Sequence, residues 1–316
     1  MLDDKKRIQY YLNDFNFVKM YQNEGDMAKI PLVLSARKVN IKKQFDKLTE
    51  LENENDKKLL LTYLEDCERI INNSILNRKF TFYLLDNNNY RNLNPFKVLL
   101  TKCRSINDKK NIIVNLNRER HWGYIKNINE IRSSLWETKK NELVWRGVDT
   151  GKDPINNDRL NFVKKYHKKY DVGFSEYTQY ATYFEINNDY QSIFLKGHLN
   201  LNQITSFKYI LILEGNDKSS SLNWVLNSNC VPLMKKPTWH SWLCESFLIP
   251  NYHYVELKDD FSDVEEKIQW LKENDDKAKE IAYNGIKYIE NNFLDLKREL
   301  YLESEIVKTI EPYLPH

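Results

Sequence analysis

Glycine, proline and cysteine are all scarce in this sequence, and each shortage argues against a class of protein. The 316 residues include 8 Gly and 8 Pro, which is too few for a low-complexity linker, and no internal repeat is visible. The 4 cysteines are widely spaced without a Cys-x-x-Cys pair, which argues against a disulfide framework and a zinc site. We expect all of them to be reduced and mostly buried: Cys67, Cys103, Cys230 and Cys244.

Long apolar runs are missing as well. No stretch reaches the roughly 18 apolar residues that a membrane-spanning helix needs. The start, "MLDDKKRIQYYLNDF", lacks the apolar segment of a secretory signal. The sequence therefore predicts a cytosolic protein, with peripheral association at the inner face of a membrane left open.

No single sign of charge dominates the chain. The 48 basic and 45 acidic residues are interleaved and leave a formal net charge of +3, so we expect no field of one sign over the surface. One run departs from this pattern, "KKYHKKY" at 164–170. It is either a contact for a polyanion or an anionic membrane surface, or the solvated face of a helix.

Apolar and aromatic residues are well supplied. They make up 41% and 13% of the chain, which is typical of a folded globular protein rather than a disordered one. A chain of this length has a prior of two domains of roughly 150 residues each. We therefore expect two domains.

The first half of the chain changes its hydrophobic period once. Apolar residues at helical spacing predict one or two helices over 42–77. Short β-rich runs separated by Asn and Asp then predict strands at 80–86, 96–102 and 111–116, before a helical segment near 127–138.

The second half alternates between strands and helices. Helices are expected near 158–169 and 221–227 and along most of the chain after 262, and strands at 142–147, 208–213, 230–234 and 252–257. Such alternation predicts an α/β fold with parallel sheets of the doubly wound kind. In such folds ligands bind beyond the carboxyl ends of the strands.

A polar loop follows the strand predicted at 208–213, with the sequence "EGNDKSSS". Gly215 permits a sharp turn, Asn216 tolerates unusual dihedral angles, and Ser219, Ser220 and Ser221 stand at the expected start of a helix. This start is either a phosphate or diphosphate site or an ordinary N-cap. The loop matches neither a P-loop nor the G-x-G-x-x-G fingerprint, which argues against ATP-type and nicotinamide cofactors.

The segment "KYILILEGNDKSSSLNWVLNSNCVPLMKKPTWHSWLCESFLIPNYHYVELKDDFSDVEEKIQWLKEN", with "AKEIAYNGIKYI" after it, resembles glycosyltransferase family 90. This family contains bacterial lipopolysaccharide-modifying transferases, fungal capsule-associated proteins and animal protein O-glucosyltransferases. Upstream, "ELVWRGVDTG" resembles the strand-Arg-Gly signature of the family, and "LLTKCRSI" with "IIVNLNRERHW" resembles its bacterial branch. The resemblance spans roughly residues 80–292.

The resemblance implies a fold of the GT-B type, with two Rossmann-like domains whose parallel sheets face a central cleft. We expect an N-terminal acceptor-side domain at 1–140, with a C-terminal helix at 294–316 that packs back on it, and a nucleotide-sugar domain at 141–293. The family also implies a UDP-sugar donor, inversion at the anomeric carbon, and no cofactor or required metal. The absence of an Asp-x-Asp motif agrees with the last point.

The resemblance assigns donor-binding roles residue by residue. Arg146 and Gly147 match the Arg-Gly signature, which implies a contact between Arg146 and the diphosphate; pairing with a neighbouring carboxylate is the structural alternative. The donor loop is matched by Gly215 and Ser219, with Asn216, Ser220 and Ser221 beside them.

The chain departs from the family pattern in that loop. Ser221 stands where animal members carry an arginine, and Asn223 where bacterial members often carry a lysine. Lys218, Lys102 or Arg104 is expected to replace the missing cation, or donor affinity is low.

Glu245 matches an acidic position of the family, which implies a carboxylate that accepts hydrogen bonds from the ribose hydroxyls. The alternative role for Glu245 is to cap a helix.

The catalytic base is predicted from the reaction. An inverting transfer needs one carboxylate to remove the acceptor proton. By resemblance this is Asp86, at the end of the strand predicted at 80–86, with Asp149 in reserve; a turn-forming role is the alternative for Asp86. His121 and His253 are expected to be structural.

The sequence thus predicts an enzyme that transfers a sugar, glucose or xylose, from a UDP-sugar to a cell-surface glycan, lipid-linked glycan or lipopolysaccharide-type acceptor. Nucleic acid is not an expected partner. Two other interpretations stay open: a retaining transferase of the same fold, and a non-catalytic protein that binds glycans or nucleic acid.

Overall fold

The protein is described from a computed structural model that covers residues 1–13, 32–35, 54–76, 78–84, 99–151, 153, 157–180 and 191–314. The chain folds into two compact units. Unit 1 comprises Met1–Arg120, Trp239–Glu245 and Phe293–His316, and unit 2 comprises His121–Thr238 and Ser246–Asn292. The domain boundaries predicted from the sequence, 1–140 and 141–293, stay predictions.

The described residues of unit 1 form two sheets. In the larger, the strand order is β1-β2-β3-β5, with β1 antiparallel to β2 and the other pairs parallel. Its strands are β1 (Leu32–Ser35), β2 (Lys79–Tyr83), β3 (Leu100–Thr101) and β5 (Ile112–Ile113). A second, antiparallel sheet pairs β4 (Cys103–Ser105) with β10 (Trp239–Ser241). Strands predicted at 80–86, 96–102 and 111–116 are therefore present where the structure describes them, although each is shorter than predicted.

In the described part of unit 1 the helices are α1 (Asp4–Leu12), α2 (Glu54–Ile71), α3 (Arg118–Trp122), whose last two residues belong to unit 2, and α11 (Leu296–Ile310). Helix α11 begins where the Asp295 side chain accepts from the backbone N–H groups of Lys297 and Arg298. Its apolar face is buried, and an ion pair joins it to α1. The buried Arg7 guanidinium donates to Glu299 Oε1 over 2.7 Å.

Unit 2 is built on a five-stranded parallel sheet in the order β11-β9-β8-β6-β7. Its strands are β6 (Lys140–Gly147), β7 (Asp171–Phe174), β8 (Phe207–Leu211), β9 (Val231–Met234) and β11 (Val255–Glu256). All five residues of β8 are buried, as expected for a central strand with both faces covered. The predicted α/β fold with parallel sheets is thus confirmed.

The described helices of unit 2 precede, connect or follow these strands along the chain. They are α4 (Ile128–Ile131), α5 (Asp158–Tyr166), α6 (Gln191–Phe194), α7 (Leu201–Thr205), α8 (Ser221–Val225), α9 (Val264–Glu273) and α10 (Asp275–Phe293). In the described part of the chain, no helix is both long enough and apolar enough to cross a membrane.

Two local predictions for unit 2 were wrong. Strand β11 begins three residues later than 252 because residues 249–254 form a turn, in which His253 Nδ1 accepts from the N–H of Ile249 at 2.9 Å. The helix expected over 127–138 is instead α4 followed by a separate 3-10 turn at Trp136–Thr138.

Candidate functional site

The strand order of unit 2 creates a crevice at a defined place. Numbered along the chain, its parallel strands lie in the order 2-1-3-4-5, with β6 as the first and β8 as the third. In the sheet, β7 is the neighbour of β6 on one edge and β8 is its neighbour on the other edge. Segments that leave the carboxyl ends of β6 and β8 therefore diverge, and ligands of doubly wound folds bind at such a switch point.

Arg159, in the first turn of α5, joins the two segments at this switch point. Its Nη1 donates to Val148 O at 2.8 Å and to Thr150 Oγ1 at 2.7 Å. Its Nη2 and Nε donate to the carbonyl oxygens of Leu213 and Glu214 at 3.2 and 3.3 Å. A cation at a helix N-terminus opposes the helix dipole, and these four acceptors offset that cost.

Gly215 lies directly against Arg159 and its acceptors, which we call the clamp. A Cβ atom added at Gly215 would stand 2.7 Å from Arg159 Nη2 and 2.7 Å from Thr150 Oγ1. Any side chain would therefore displace the guanidinium or the hydroxyl. The glycine predicted as a donor-loop residue thus leaves room for the Arg159 guanidinium and the Thr150 hydroxyl.

Asp149 holds a third segment, the one that follows β7. Its side chain is buried, and Oδ1 accepts from the backbone N–H of Thr178 at 2.7 Å, the Thr178 hydroxyl at 3.0 Å and the N–H of Gln179 at 3.0 Å. Its Oδ2 accepts from the N–H of Tyr180 at 2.6 Å. One carboxylate thus binds three consecutive backbone N–H groups.

Gln179 links this segment to both others. Its Nε2 donates to Gly151 O at 2.7 Å, and its Oε1 accepts from Asn216 Nδ2 at 2.7 Å. We call segments 148–151, 175–180 and 212–217 together the loop platform. Of the predicted donor-binding residues, Gly215 and Asn216 belong to it, as does Asp149.

The serines and the lysine after Gly215 have their own contacts. Lys218 Nζ, which is mostly buried, donates to Asn223 Oδ1 at 2.8 Å, and the hydroxyls of Ser219 and Ser221 lie 2.9 Å apart. Ser220 is the N-cap residue of α8, but its side chain makes no capping hydrogen bond. Because α8 has only 5 residues, its dipole gives the helix start little pull on an anion.

Arg146 shows the structural alternative that the sequence left open. Its Nη2 pairs with Asp171 Oδ1 at 2.6 Å, and its Nη1 donates to the carbonyl oxygens of Asp171 and Trp145. A Cβ on the adjacent Gly147 would lie 2.6 Å from the Trp145 ring. A diphosphate contact by Arg146 stays a prediction.

The other candidate residues lie in unit 1 and are also engaged. Arg104 Nη1 donates to the carbonyl oxygens of Tyr11 and Asn111 at 2.7 and 2.8 Å. Glu245 Oε2 accepts from the Ser241 N–H at 2.6 Å. Lys102, the residue between β3 and β4 along the chain, is buried.

Asp86, the predicted base, lies outside the described residues. Its role and the ribose contact of Glu245 stay predictions.

The electrostatics of the platform follow from burial and from Asp149. Partial burial, with the nearby Asp149 carboxylate as a second cause, raises the pKa of Tyr177 to about 12. Tyr180 has a raised pKa for the same two reasons among others. Both phenols are therefore neutral hydrogen-bond donors at physiological pH. Within the described ranges, no group of three His, Cys, Asp or Glu side chains is placed to hold a metal ion.

Three residues of the platform and its clamp were missed in the sequence: Thr150, Arg159 and Gln179. Arg159 carried a usable signal, because a cation in the first turn of a helix is unfavourable unless other groups bind it. Gln179 follows the "DVGF" strand, β7, which was not recognised because it is only 4 residues long. Thr150 carried no signal of its own.

Comparisons with known proteins bear on the identity of this chain. The model of Glycosyl transferase family 90 matches residues 114–299, more than half of its length. O-glucosyltransferase LpsA of Dichelobacter nodosus is 29% identical over 175 residues, which cover 55% of this chain and 50% of LpsA. Protein O-glucosyltransferase 2 of Danio rerio is 27% identical over 162 residues, or 51% of this chain and 30% of that protein. The matches thus span half or less of the relatives' length.

A solved structure is also similar in part. The C-terminal domain of a glycosyl transferase group 1 family protein (LpcC) from Francisella tularensis is 16% identical, covering 56% of this chain and 93% of that one at a TM-score of 0.32. A similarity of that size does not establish a shared fold. The family match, which covers more than half of the chain, does establish membership, and the chain belongs to glycosyltransferase family 90.

Proposed function

We propose that the protein is a glycosyltransferase that takes a sugar from a UDP-sugar and transfers it to a glycan acceptor. Family membership supports the reaction class. The observation that carries the site is the loop platform, because its segments meet at the carboxyl ends of parallel strands, at the switch point between β6 and β8. UDP is proposed to bind there.

Glucose is the sugar that the relatives favour, with xylose as the second choice. Two of them are named as O-glucosyltransferases. The acceptor is proposed to be a cell-surface glycan, a lipid-linked glycan or a lipopolysaccharide-type molecule.

The proposed chemistry is a single displacement with inversion at the anomeric carbon. A carboxylate removes the proton of the acceptor hydroxyl, while positive and N–H groups stabilise the charge that grows on the departing UDP. Asp86 is the proposed base. Asp149 is a poorer candidate, because both of its oxygens already accept hydrogen bonds from the segment after β7.

Metal independence is part of the proposal. Without a metal ion, the leaving diphosphate has to be neutralised by cationic side chains and backbone N–H groups. Lys218 is the mostly buried cation on the loop that follows Gly215, which makes it the first candidate for this role.

A screen of UDP-sugars tests the function. The protein is incubated with each UDP-sugar in excess EDTA, and release of UDP and melting temperature are measured. We expect UDP-glucose to be hydrolysed slowly and UDP to stabilise the fold by about 2.7 kcal/mol at a hundredfold excess over its Kd, with UMP less effective.

Two results would contradict the proposal. Failure of every UDP-sugar both to bind and to be hydrolysed would rule out the donor. Loss of UDP binding on addition of EDTA would rule out metal independence. Once a product of sugar transfer is obtained, its anomeric configuration is determined by NMR, which distinguishes an inverting from a retaining reaction.

A further inference from the structure

Asp149 joins two of the three platform segments, its own and the one at 175–180, and it was the reserve candidate for the catalytic base. We infer instead that it is a positioning residue: it sets the backbone of residues 178–180, and through Gln179 it sets the donor loop that carries Asn216. The expected effect on donor binding rests on the proposed function. The hydrogen bonds of Asp149 are observed independently of that function.

The hydrogen-bond pattern around Asp149 supports this assignment. Its carboxylate accepts four hydrogen bonds, three of them from consecutive backbone N–H groups, and the residue is 1% exposed. A general base needs a lone pair directed at the substrate hydroxyl. Here both oxygens are directed at the Thr178–Tyr180 backbone, and proton transfer to either one would weaken the bonds that hold that segment.

The contact also requires a carboxylate rather than an amide. Oδ1 and Oδ2 both accept, so an Asn at position 149 would turn an NH2 group toward a backbone N–H. Two donors facing each other in a buried place leave both unsatisfied. Asp149→Asn therefore keeps the shape of the side chain but loses at least the bond from the Tyr180 N–H, and it leaves two unsatisfied donors there.

Gln179 transmits the position of this segment to the donor loop. Its backbone N–H is fixed by Asp149, while its side-chain amide bridges Gly151 O and Asn216 Nδ2. The bond to Asn216 is exposed, so it is weaker than the buried bonds to Asp149. The segment after β7 is thus firmly held at its backbone and more loosely coupled to the donor loop.

The test compares Asp149→Asn with Gln179→Ala, and uses Asp275→Asn as a matched control. Both oxygens of Asp275 likewise accept hydrogen bonds, from Trp136 Nε1 at 2.9 Å and Lys208 Nζ at 2.5 Å, but Asp275 belongs to α10 and not to the platform. Three quantities are measured: amide hydrogen exchange of residues 175–180, the Kd of UDP by calorimetry, and kcat at saturating donor.

For Asp149→Asn we expect exchange at 178–180 to accelerate about tenfold or more and the Kd of UDP to rise about tenfold, with kcat within about threefold of wild type. Gln179→Ala is expected to raise the Kd by about threefold while leaving exchange at 178 and 180 near wild type. In Asp275→Asn, both exchange at 175–180 and the Kd should stay unchanged.

A different pattern would overturn the inference. If Asp149→Asn lowers kcat by about a hundredfold with unchanged exchange and Kd, Asp149 is the base. If wild type does not bind UDP, the proposed function fails, while the exchange measurement still decides whether Asp149 anchors the segment. Should Asp149→Asn fail to fold, Gln179→Ala and Asn216→Ala decide, and an unchanged Kd in both rejects the coupling.

Discussion

Two roles compete for the Arg146 side chain. The family resemblance implies a contact with the diphosphate, whereas the structure shows an ion pair with Asp171 and bonds to two carbonyl oxygens. Although partial burial acts to raise the pKa of Asp171, the hydrogen bond and charge of Arg146, with Lys196, lower it overall. The pair thus joins β6 to β7, because Asp171 is the first residue of β7.

A pair of variants separates the two roles. If Arg146 acts through Asp171, Arg146→Ala and Asp171→Asn should each lower the free energy of unfolding, Arg146→Ala by about 1–3 kcal/mol because it also vacates two carbonyl groups. Both should leave the Kd of UDP within about twofold of wild type. Denaturant unfolding and calorimetry measure these effects.

A contact between Arg146 and the diphosphate predicts the opposite effect on UDP binding. It requires Arg146→Ala to weaken UDP binding by about tenfold or more, since a charge-assisted bond to the leaving group is lost, while Asp171→Asn has little effect. That result would show that the guanidinium leaves Asp171 when the donor binds.

At the scale of elements, Gly215 brings the segment after β8 against Thr150 of the segment after β6 and against Arg159 of α5. Gly215→Ala places a methyl group 2.7 Å from Arg159 Nη2 and Thr150 Oγ1. We expect a loss of about 1–3 kcal/mol in the free energy of unfolding, as for other overpacked sites. Because the clamp between the two segments shifts, the Kd of UDP should also rise.

Gly197→Ala is the matched control for this variant. Gly197 has a positive φ of 74° but open space around its Cβ position. Its substitution should cost about 1–2 kcal/mol of backbone strain and leave UDP binding unchanged. Equal effects of both variants on the Kd would show that the contacts of Gly215 are irrelevant to the donor.

Helix α11 carries a buried charge whose titration is measurable. Glu303 pairs with Arg69 of α2 and lies near Asp66 and Arg118. Burial raises the pKa of Glu303 to about 7, and the charge of Arg69 offsets this only in part. Since the carboxyl binds its proton more tightly in the folded chain, it favours folding below its ordinary pKa, and this contribution is lost as the pH rises through about 7.

Glu303→Gln tests the sign of this effect, because glutamine does not titrate. The difference in free energy of unfolding, wild type minus variant, should fall between about pH 5 and about pH 8. Denaturant unfolding at several pH values measures it. A difference that stays constant or grows with pH would show that Glu303 is ionised throughout.

For the whole molecule, donor binding and proton removal can be tested separately, because they are proposed for different residues. The loop platform belongs to unit 2, and the proposed base, Asp86, lies outside the described residues. Asp86→Asn should lower the rate of sugar transfer by about a hundredfold or more and leave the Kd of UDP near wild type. If the Asp86→Asn variant retains most of its activity, the base is another residue, and the turn-forming role is the one left for Asp86.

The candidate site could be predicted only in part. Gly215 and Asn216 were found because a glycine-bearing loop after an apolar strand is a local pattern. The partners of Asp149 were not predictable, since Thr178, Gln179 and Tyr180 are 29 to 31 residues away along the chain. Arg159 likewise reaches carbonyl groups 54 and 55 residues away.

Local sequence patterns were enough to indicate the class of this protein: hydrophobic periodicity predicted the alternating strands and helices, and the residues around the Arg-Gly and Gly215 segments indicated the family. Both are properties of neighbouring residues. The folding of the whole chain decided that β6 lies between β7 and β8, and hence where the switch point is. It also decided that Arg146 faces Asp171 and that Asp149 faces three N–H groups. Strand order and hydrogen-bond partners depend on which side each crossover takes, and local propensity does not encode that choice.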